Sequence, residues 1–132
     1  MRHVQFTVHG IPAPQGSKRV FMVKGRPVLT DASKNLTPWR DSVASAAHEA
    51  AQGEMFDCPL FVHLHFRMPR PKTIKRVHPT VAPDLDKLAR AVFDAMTAGG
   101  LIRDDALIVS ACVNKRYDDA PGVWVSVREE TT

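Results

Sequence analysis

The segment PDLDKLARAVFDAMTAGG, residues 83–100, has the strongest pattern in the chain. At 100° per residue its large apolar side chains fall in one stripe, which is typical of a helix packed on an apolar surface. Pro83 can only open a helix, and Gly99 with Gly100 favours a helix end. The pattern predicts a helix over residues 85–98. Its stripe consists of Leu85, Leu88, Ala89, Val92, Phe93 and Met96.

Alternating apolar residues elsewhere predict the strands of a sheet. Residues 3–8 and 59–68 both alternate with period two. Two short strands are predicted around a turn at Lys24 and Gly25, and Pro27 favours an edge position for one of them. These segments can supply the apolar surface that the helix requires.

The remaining segments complete an α+β fold. Thr37 as cap and Pro38 as first residue predict a helix over residues 38–52. Residues 106–117 and 122–128 predict two final strands, joined as a hairpin through DDAPG. We therefore expect a single domain over residues 1–132, with a mixed β-sheet of about five strands and two main helices packed on it.

Composition narrows the class of protein. A chain of 132 residues with 44% hydrophobic residues is long enough for one compact domain. Its first residues alternate instead of forming the apolar run of a signal peptide, and no stretch reaches the length of a membrane span. Cys58 and Cys112 lack the spacing of a metal or redox motif, so we interpret both as reduced packing residues. We expect a cytoplasmic protein without membrane partners.

Two acids, Asp84 and Asp86, stand at the start of the predicted helix. Within a helix they would lie 200° apart and could not hold one ion, whereas in an extended segment alternate side chains point the same way. Pro83 favours the extended form, because it forces Ala82 out of the helical conformation. A metal site therefore requires Asp84 to lie outside the helix. The alternative is that Asp84 is only an N-cap.

A second acidic pair, Asp104 and Asp105, precedes the next strand. Acids are common in turns, so the pair could simply connect helix and strand. A short link, residues 99–103, separates it from the helix. However, a helix carries the chain across a sheet, so the start of a helix need not lie beside the strand that follows. The pattern leaves open whether the four acids meet.

Charge is unevenly distributed along the chain. Residues 1–40 contain seven basic residues and one acid, and residues 67–83 contain five basic residues and no acid. From Asp84 onward there are nine acids and six bases. Basic segments beside an acidic region suit a polyanion brought to a bound metal. The alternative is a solvated basic surface.

The segment PDLDKLARAVFDAMTAGGLIRDDALIV resembles the signature of the RusA family of Holliday-junction resolvases, small metal-dependent endonucleases of bacteria and their phages. That family shows D-x-D-N-L-x-K at a helix start, D-A-L near the helix end, and D-D before an apolar strand. The segments GIPAPQGSKR, KGRP and SKNLTPWRDSVASAA are similar to phage-type members. The resemblance thus covers nearly the whole chain, with residues 84–109 as its most specific part.

The resemblance implies a metal-dependent chemistry. Asp84, Asp86 and Asp105 match the metal-binding carboxylates of the family, with Asp104 as a supporting acid. The implied cofactor is Mg²⁺, with Mn²⁺ as a substitute, and the reaction is phosphodiester hydrolysis in branched DNA. Because a four-way junction has near two-fold symmetry and needs paired cuts, a homodimer is expected.

Two positions depart from the family pattern. Lys87 stands where the family usually has Asn, and Arg90 stands where it usually has a catalytic Lys. Arg90 can stabilise phosphate charge but cannot donate a proton at neutral pH, so proton transfer would fall to Lys87 or to metal-bound water. Alternatively, Asp86, Arg90 and Asp94 form a surface salt-bridge row at i, i+4 spacing, with Asp94 as a structural residue.

Other residues carry weaker predictions. His63 and His65 share one strand face and suit a polar surface near DNA better than a metal site. Trp39 and Trp124 are interpreted as core or subunit packing. Two other functions stay open: a non-catalytic basic nucleic-acid-binding protein of phage or prophage origin, and an assembly protein whose acids only cap and turn. The candidate phosphate contacts are Lys18, Arg19, Arg70, Lys72, Lys75 and Arg76.

Overall fold

The structure, a computed structural model, describes residues 1–16, 18–31 and 34–131, with the backbone alone for 18–21 and 28–31. Two main helices, α1 (Leu36–Ala51) and α2 (Leu85–Ala98), are accompanied by a short 3-10 helix (Asp105–Leu107). The fold is α+β, as predicted. Its strands are β1 (His3–His9), β2 (Lys18–Val23), β3 (Arg26–Asp31), β4 (Leu60–Met68), β5 (Ile108–Tyr117) and β6 (Gly122–Glu129).

Four of these strands form one mixed sheet in the order β1-β6-β4-β5. β4 and β5 are parallel, whereas β6 is antiparallel to both β1 and β4. β2 and β3 form a separate two-stranded sheet around the predicted turn, where Lys24 and Gly25 both have positive φ. The expected sheet of about five strands is thus a sheet of four and a separate hairpin.

The predicted hairpin between the last two strands is wrong, because β4 lies between β5 and β6. α2 connects β4 to β5, and such a crossover allows two strands to pair in parallel. Residues 118–121 then pass the end of β4, where the Asp118 N–H donates to the Met68 carbonyl oxygen at 3.0 Å. The turn-forming sequence DDAPG is as compatible with this connection across the end of β4 as it is with a hairpin.

The hydrophobic core lies between the sheet and the two helices. Along β4 every second side chain is fully buried, as the alternation predicts, and α2 buries the stripe that its pattern predicts. Each fully buried Val, Leu, Phe or Met side chain contributes roughly 1.5–3 kcal/mol to stability. Leu85 and Phe93 lie at the margin of the stripe and are partly buried. The fully buried side chains include Leu60, Val62, Leu64, Phe66, Leu88, Val92, Met96, Val123, Val125 and Val127.

α1 begins two residues earlier than predicted. Asn35, not Thr37, is the N-cap residue, and the Trp39 N–H donates to the Asn35 carbonyl oxygen at 3.1 Å. Pro38 therefore occupies the third helical position, where a backbone N–H would have no partner within the helix. Trp39 itself is buried in the core, as predicted.

α1 and the end of α2 approach closely at Gly99. A Cβ atom there would lie 2.3 Å from the backbone oxygen of Ala44 in α1. The glycine that ends α2 therefore also permits the two helices to pack against each other.

The two cysteines have different surroundings. Both are free thiols; Cys58 is packed partly buried against the core, as predicted, but Cys112 is exposed on β5. Its interpretation as a packing residue is wrong, because β5 is an edge strand of the sheet. Within residues 1–16, 18–31 and 34–131, no helix has both the length and the apolar character that a membrane span requires.

Candidate active site

Asp84 lies outside α2, which is the condition that a metal site at the helix start requires. Its backbone is extended (φ −69°, ψ 144°), and its carbonyl oxygen accepts the Leu88 N–H at 3.1 Å. Asp84 is thus the N-cap residue by position, but its side chain makes no capping hydrogen bond. The carboxylate is 60% exposed and lies 3.5 Å from the Lys87 Nζ. Its oxygens remain accessible to a ligand.

Lys115 of β5 holds the segment that leads into α2. Its Nζ donates to the carbonyl oxygens of Val81 at 2.9 Å and Pro83 at 2.8 Å. Since Pro83 directly precedes Asp84, these hydrogen bonds fix the backbone next to the first candidate ligand. Asp86 follows in the first turn of α2, where its side chain is exposed.

The loop after β1 packs on the outer face of α2. The Gln15 N–H donates to the Lys87 carbonyl oxygen at 3.0 Å, and the Gln15 side-chain amide donates to the Asp94 carboxylate. Arg40 of α1 in turn donates to the Gln15 side-chain oxygen at 3.0 Å. Asp94 is therefore tied to both the loop and α1, which agrees with its interpretation as a structural residue.

Arg90 lies next to the same loop. A Cβ atom at Gly16 would lie 2.6 Å from the Arg90 Nη1, so the glycine makes room for the guanidinium. In the part of the chain that the structure describes, Arg90 forms no ion pair with Asp86 or Asp94. The surface salt-bridge row is therefore not formed, and the exposed Arg90 can contact an added anion.

Asp104 and Asp105 have opposite electrostatic environments. The Asp104 side chain accepts the Ala106 N–H at 2.9 Å and so caps the 3-10 helix, which confirms the turn interpretation for this residue. This hydrogen bond, with one from Asp105, lowers the pKa of Asp104. Partial burial raises the pKa of Asp105, and the hydrogen bond to Asp104 and the charges of Asp94 and Asp104 raise it further.

The candidate acids form two groups at different places on α2. Asp84 and Asp86 lie at its first turn, whereas Asp105 lies within the electrostatic influence of Asp94. Asp86 and Asp94 are eight residues apart, which is about 12 Å along a helix axis. Over the described ranges, no three His, Cys, Asp or Glu side chains are grouped so that they could hold a metal ion. One copy of the chain therefore does not bring Asp105 together with Asp84 and Asp86.

The basic residues of the loop 69–83 have several environments. Arg70 is exposed, and its Nη1 donates to the carbonyl oxygens of Ile74 at 3.1 Å and Arg76 at 2.8 Å. The Arg76 Nε donates to the Tyr117 hydroxyl at 2.8 Å. Lys72 and Lys75 are exposed. Lys18 and Arg19 belong to β2, and their side chains lie outside the described part of the structure.

The two strand histidines join a polar network. His65 hydrogen-bonds to the Asn114 side chain, whose Nδ2 lies 3.4 Å from the His63 Nε2. The His63 ring meets the Trp124 ring edge-on, with centroids 5.0 Å apart. These contacts account for both histidines and for the partly buried Trp124 as packing on the polar face of the sheet.

Sequence reasoning assigned no role to Gln15, Arg40, Lys115 or Tyr117. Their contacts join residues 25–79 positions apart, so no local pattern indicates them. Only the resemblance of GIPAPQGSKR to phage-type sequences marked the loop that contains Gln15.

Comparisons with known proteins identify the family of this chain. YqaN of Bacillus subtilis (strain 168) is similar to this chain, with 27% identity over an alignment of 138 positions, gaps included, that covers 96% of each protein. The sequence model of the family described as endodeoxyribonuclease RusA matches residues 9–128, which include α2, the loop before it and the start of β5. The chain therefore belongs to the RusA endodeoxyribonuclease family, which implies an endonuclease that resolves Holliday junctions.

Proposed function

We propose that this protein is a metal-dependent, structure-specific endonuclease that cuts four-way DNA junctions by phosphodiester hydrolysis. The observation that carries the proposal is the extended Asp84 before α2, whose exposed carboxylate makes no capping hydrogen bond. A purely structural N-cap acid would accept a backbone N–H at this place. Family membership supports the nuclease activity, and the metal dependence is our inference from the acids.

The donors at the start of α2 fit a hard divalent cation. Asp84 and Asp86 provide exposed carboxylate oxygens, and Mg²⁺ commonly takes one or two carboxylates together with water and substrate phosphate. Mn²⁺ accepts the same oxygen ligands. Bound here, one or two such ions would supply Lewis-acid stabilisation of the phosphate and activation of a water molecule.

Two cationic side chains on the same helix would hold the phosphate. Lys87 is already 3.5 Å from Asp84, and Arg90 extends its guanidinium over Gly16. An arginine guanidinium is cationic and can bridge two phosphate oxygens. We assign charge stabilisation to Arg90 and leave proton transfer to Lys87 or water.

Asp105 belongs to the proposal through a homodimer. Its pKa is raised because its carboxylate, although exposed, is slightly desolvated and lies near two other acids, and a bound cation would relieve the repulsion between these acids. Within one chain, Asp105 is separated from Asp84 and Asp86 by most of the length of α2. Asp104 lies next to Asp105 and would accompany it in a dimer. In a two-fold dimer, Asp105 of one protomer can approach the start of α2 in the other, and two sites would match the two cuts at a junction.

The basic segments would bring DNA to these acids. Arg70, Lys72, Lys75 and Arg76 lie in the loop that leads to Asp84, and this loop contains no acid. Lys18 and Arg19 on β2 stay candidate contacts. Such contacts act mainly on the phosphate backbone, so binding should weaken as salt rises.

The variant Asp86→Asn tests the assignment. It should lower cleavage of a synthetic four-way junction in Mg²⁺ by at least about a hundredfold, since one candidate ligand loses its charge. Junction affinity without divalent metal should stay equal or increase, because a negative charge near DNA is removed. The measurement compares wild type, Asp86→Asn and the exposed control Asp41→Asn on four-way, forked and linear DNA.

One alternative function is a non-catalytic DNA-binding protein of the same family. The separation of the two acidic groups favours this alternative, because one chain alone does not assemble a complete metal site. Wild-type-level cutting by Asp86→Asn would exclude our catalytic assignment. Binding of branched DNA without metal-dependent cutting by the wild type would favour the alternative.

A further inference from the structure

A small apolar cleft lies beside the start of α2. It encloses about 200 Å³ between the loop 69–83, the end of β5 and Ile11 of the loop after β1. Five prolines line it, and one of them is Pro83, which directly precedes Asp84. The cleft therefore opens next to the residue proposed to hold the metal.

The walls of the cleft are held in place before any ligand binds. Lys115 fixes the Val81 and Pro83 carbonyl groups, and the Arg76 Nε is hydrogen-bonded to the Tyr117 hydroxyl. The Arg70 guanidinium lies 4.8 Å from the centroid of the Tyr117 ring. A preformed cleft of this kind binds without a large ordering cost.

The chemistry of the lining indicates what the cleft can hold. Its surface is mostly apolar, with the cationic Arg76 and Lys115 and the Tyr117 ring as its polar members, and no acid occurs among the described lining residues. Ligand sites for larger molecules usually occupy about 300–1,000 Å³, so this cleft suits a smaller, flat group. An apolar slot with cationic edges matches a nucleobase and the phosphate attached to it.

We propose that the cleft receives one unstacked base of branched DNA, while Arg76 and Lys115 contact its phosphate. Linear duplex keeps its bases stacked, whereas a base at a branch point leaves the stack at lower cost. The cleft would thus contribute to the preference for branched DNA beside the cutting residues. This inference rests on the proposed function for its DNA substrate.

The test uses 2-aminopurine at the branch point of a four-way junction, in EDTA so that no cutting occurs. Emission should rise when wild type binds, because the base leaves its stacked neighbours for an apolar site. Ile11→Trp should fill the mouth of the cleft, abolish the rise and reduce the preference for junction over linear duplex about tenfold, within the range for loss of one base contact. Met55→Trp is the matched control, since Met55 is 48% exposed, Ile11 is 56% exposed, and Met55 does not line the cleft.

The outcomes separate this inference from the nuclease assignment. Absence of an emission rise with wild type overturns the cleft proposal. So does a stably folded Ile11→Trp that keeps the wild-type preference, with folding checked by melting temperature. Junction cutting in Mg²⁺ without the emission rise overturns the cleft alone, whereas the emission rise without any cutting overturns the nuclease assignment alone.

Discussion

Asp84 and Asp104 both precede helices, yet their side chains are used differently. Asp104 accepts a backbone N–H from Ala106, whereas Asp84 leaves its carboxylate exposed. From the sequence, Pro83 favoured an extended segment here, because proline disfavours the helical conformation in the residue before it, Ala82. Which of the two acids caps its helix depends on side-chain rotation, and the sequence pattern carries no signal for it.

Asp105 should make the metal-free fold less stable at neutral pH. Its pKa is raised in the folded protein, so its stability contribution is complete at low pH and is lost as pH rises through the folded-state pKa. Asp105→Asn removes the charge and should raise the melting temperature in EDTA at pH 7. The increase should be only about 1–2 °C, because water screens the charge at this exposed site. The difference should vanish near pH 4, and differential scanning calorimetry across pH measures it.

Asp104→Asn is the matched control for that change. The pKa of Asp104 is lowered, so its charge is favourable in the folded state above the ordinary pKa of an aspartate. This variant should not raise the melting temperature at pH 7. A lower melting temperature for Asp105→Asn at pH 7 would contradict the explanation.

At the scale of elements, α2 and β5 jointly position the candidate ligands. The first turn of α2 presents Asp86, and Lys115 on β5 holds the backbone before Asp84. The loop 69–83 is thereby fixed at its C-terminal end to the strand that follows α2 in sequence. Lys115 contacts none of the candidate metal-binding carboxylates directly, so we regard it as a positioning residue for the metal site.

Lys115→Met should weaken metal binding while keeping the aliphatic part of the side chain. Without the hydrogen bonds to Val81 and Pro83, the backbone at Asp84 is less restrained, and supporting residues of this kind commonly change metal affinity by about tenfold or more. Calorimetric titration with Mg²⁺ and the Mg²⁺ dependence of cleavage measure the effect.

Lys115→Arg keeps a cationic donor and should recover most of the lost affinity. A Lys115→Met protein with a lower melting temperature but wild-type Mg²⁺ titration would show that Lys115 does not position the metal site.

The elements were more predictable than their arrangement. The period of β4 and the stripe of α2 are local properties, and both were confirmed, with α2 at its predicted bounds. The order of the strands depends on pairing between residues far apart, such as Leu60 with Ile108 and Leu60 with Glu129. The turn signal in DDAPG could not reveal that β4 would lie between the strands on either side of it.

At the scale of the molecule, the direction of α2 decides how a complete site can form. The helix starts beyond the end of β4 and leads back to the start of β5, so its two ends lie at opposite ends of these parallel strands. Asp84 and Asp86 lie at the N-terminal end of α2, and Asp105 lies towards its C-terminal end. A dimer that pairs opposite ends from two copies would join them.

Mixing two inactive variants tests this arrangement. In a mixed dimer of Asp86→Asn with Asp105→Asn, a site shared between protomers leaves one site fully native and the other doubly altered. We therefore expect cleavage to recover to roughly half the wild-type rate in the mixed dimers, because one of their two sites is intact. Each variant alone should be inactive, and nicked-junction yield on a gel measures the recovery.

The control mixes Asp86→Asn with the double variant Asp86→Asn, Asp105→Asn, which cannot assemble a native site in any pairing. Subunit exchange is verified with two affinity tags. Exchanged but inactive mixtures of the two single variants would place all three acids of a site in one chain.

The position of β6 also bears on how the chain is made. β6 follows both β1 and β4 in sequence, yet it lies between them in the sheet. The four-stranded sheet therefore cannot form until residues 122–129 have been synthesised, and the apolar side chains of β1 and β4 stay exposed to solvent until then. Such long-range pairing is slow and exposes the nascent protein to aggregation, so its yield in a cell should depend strongly on chaperones.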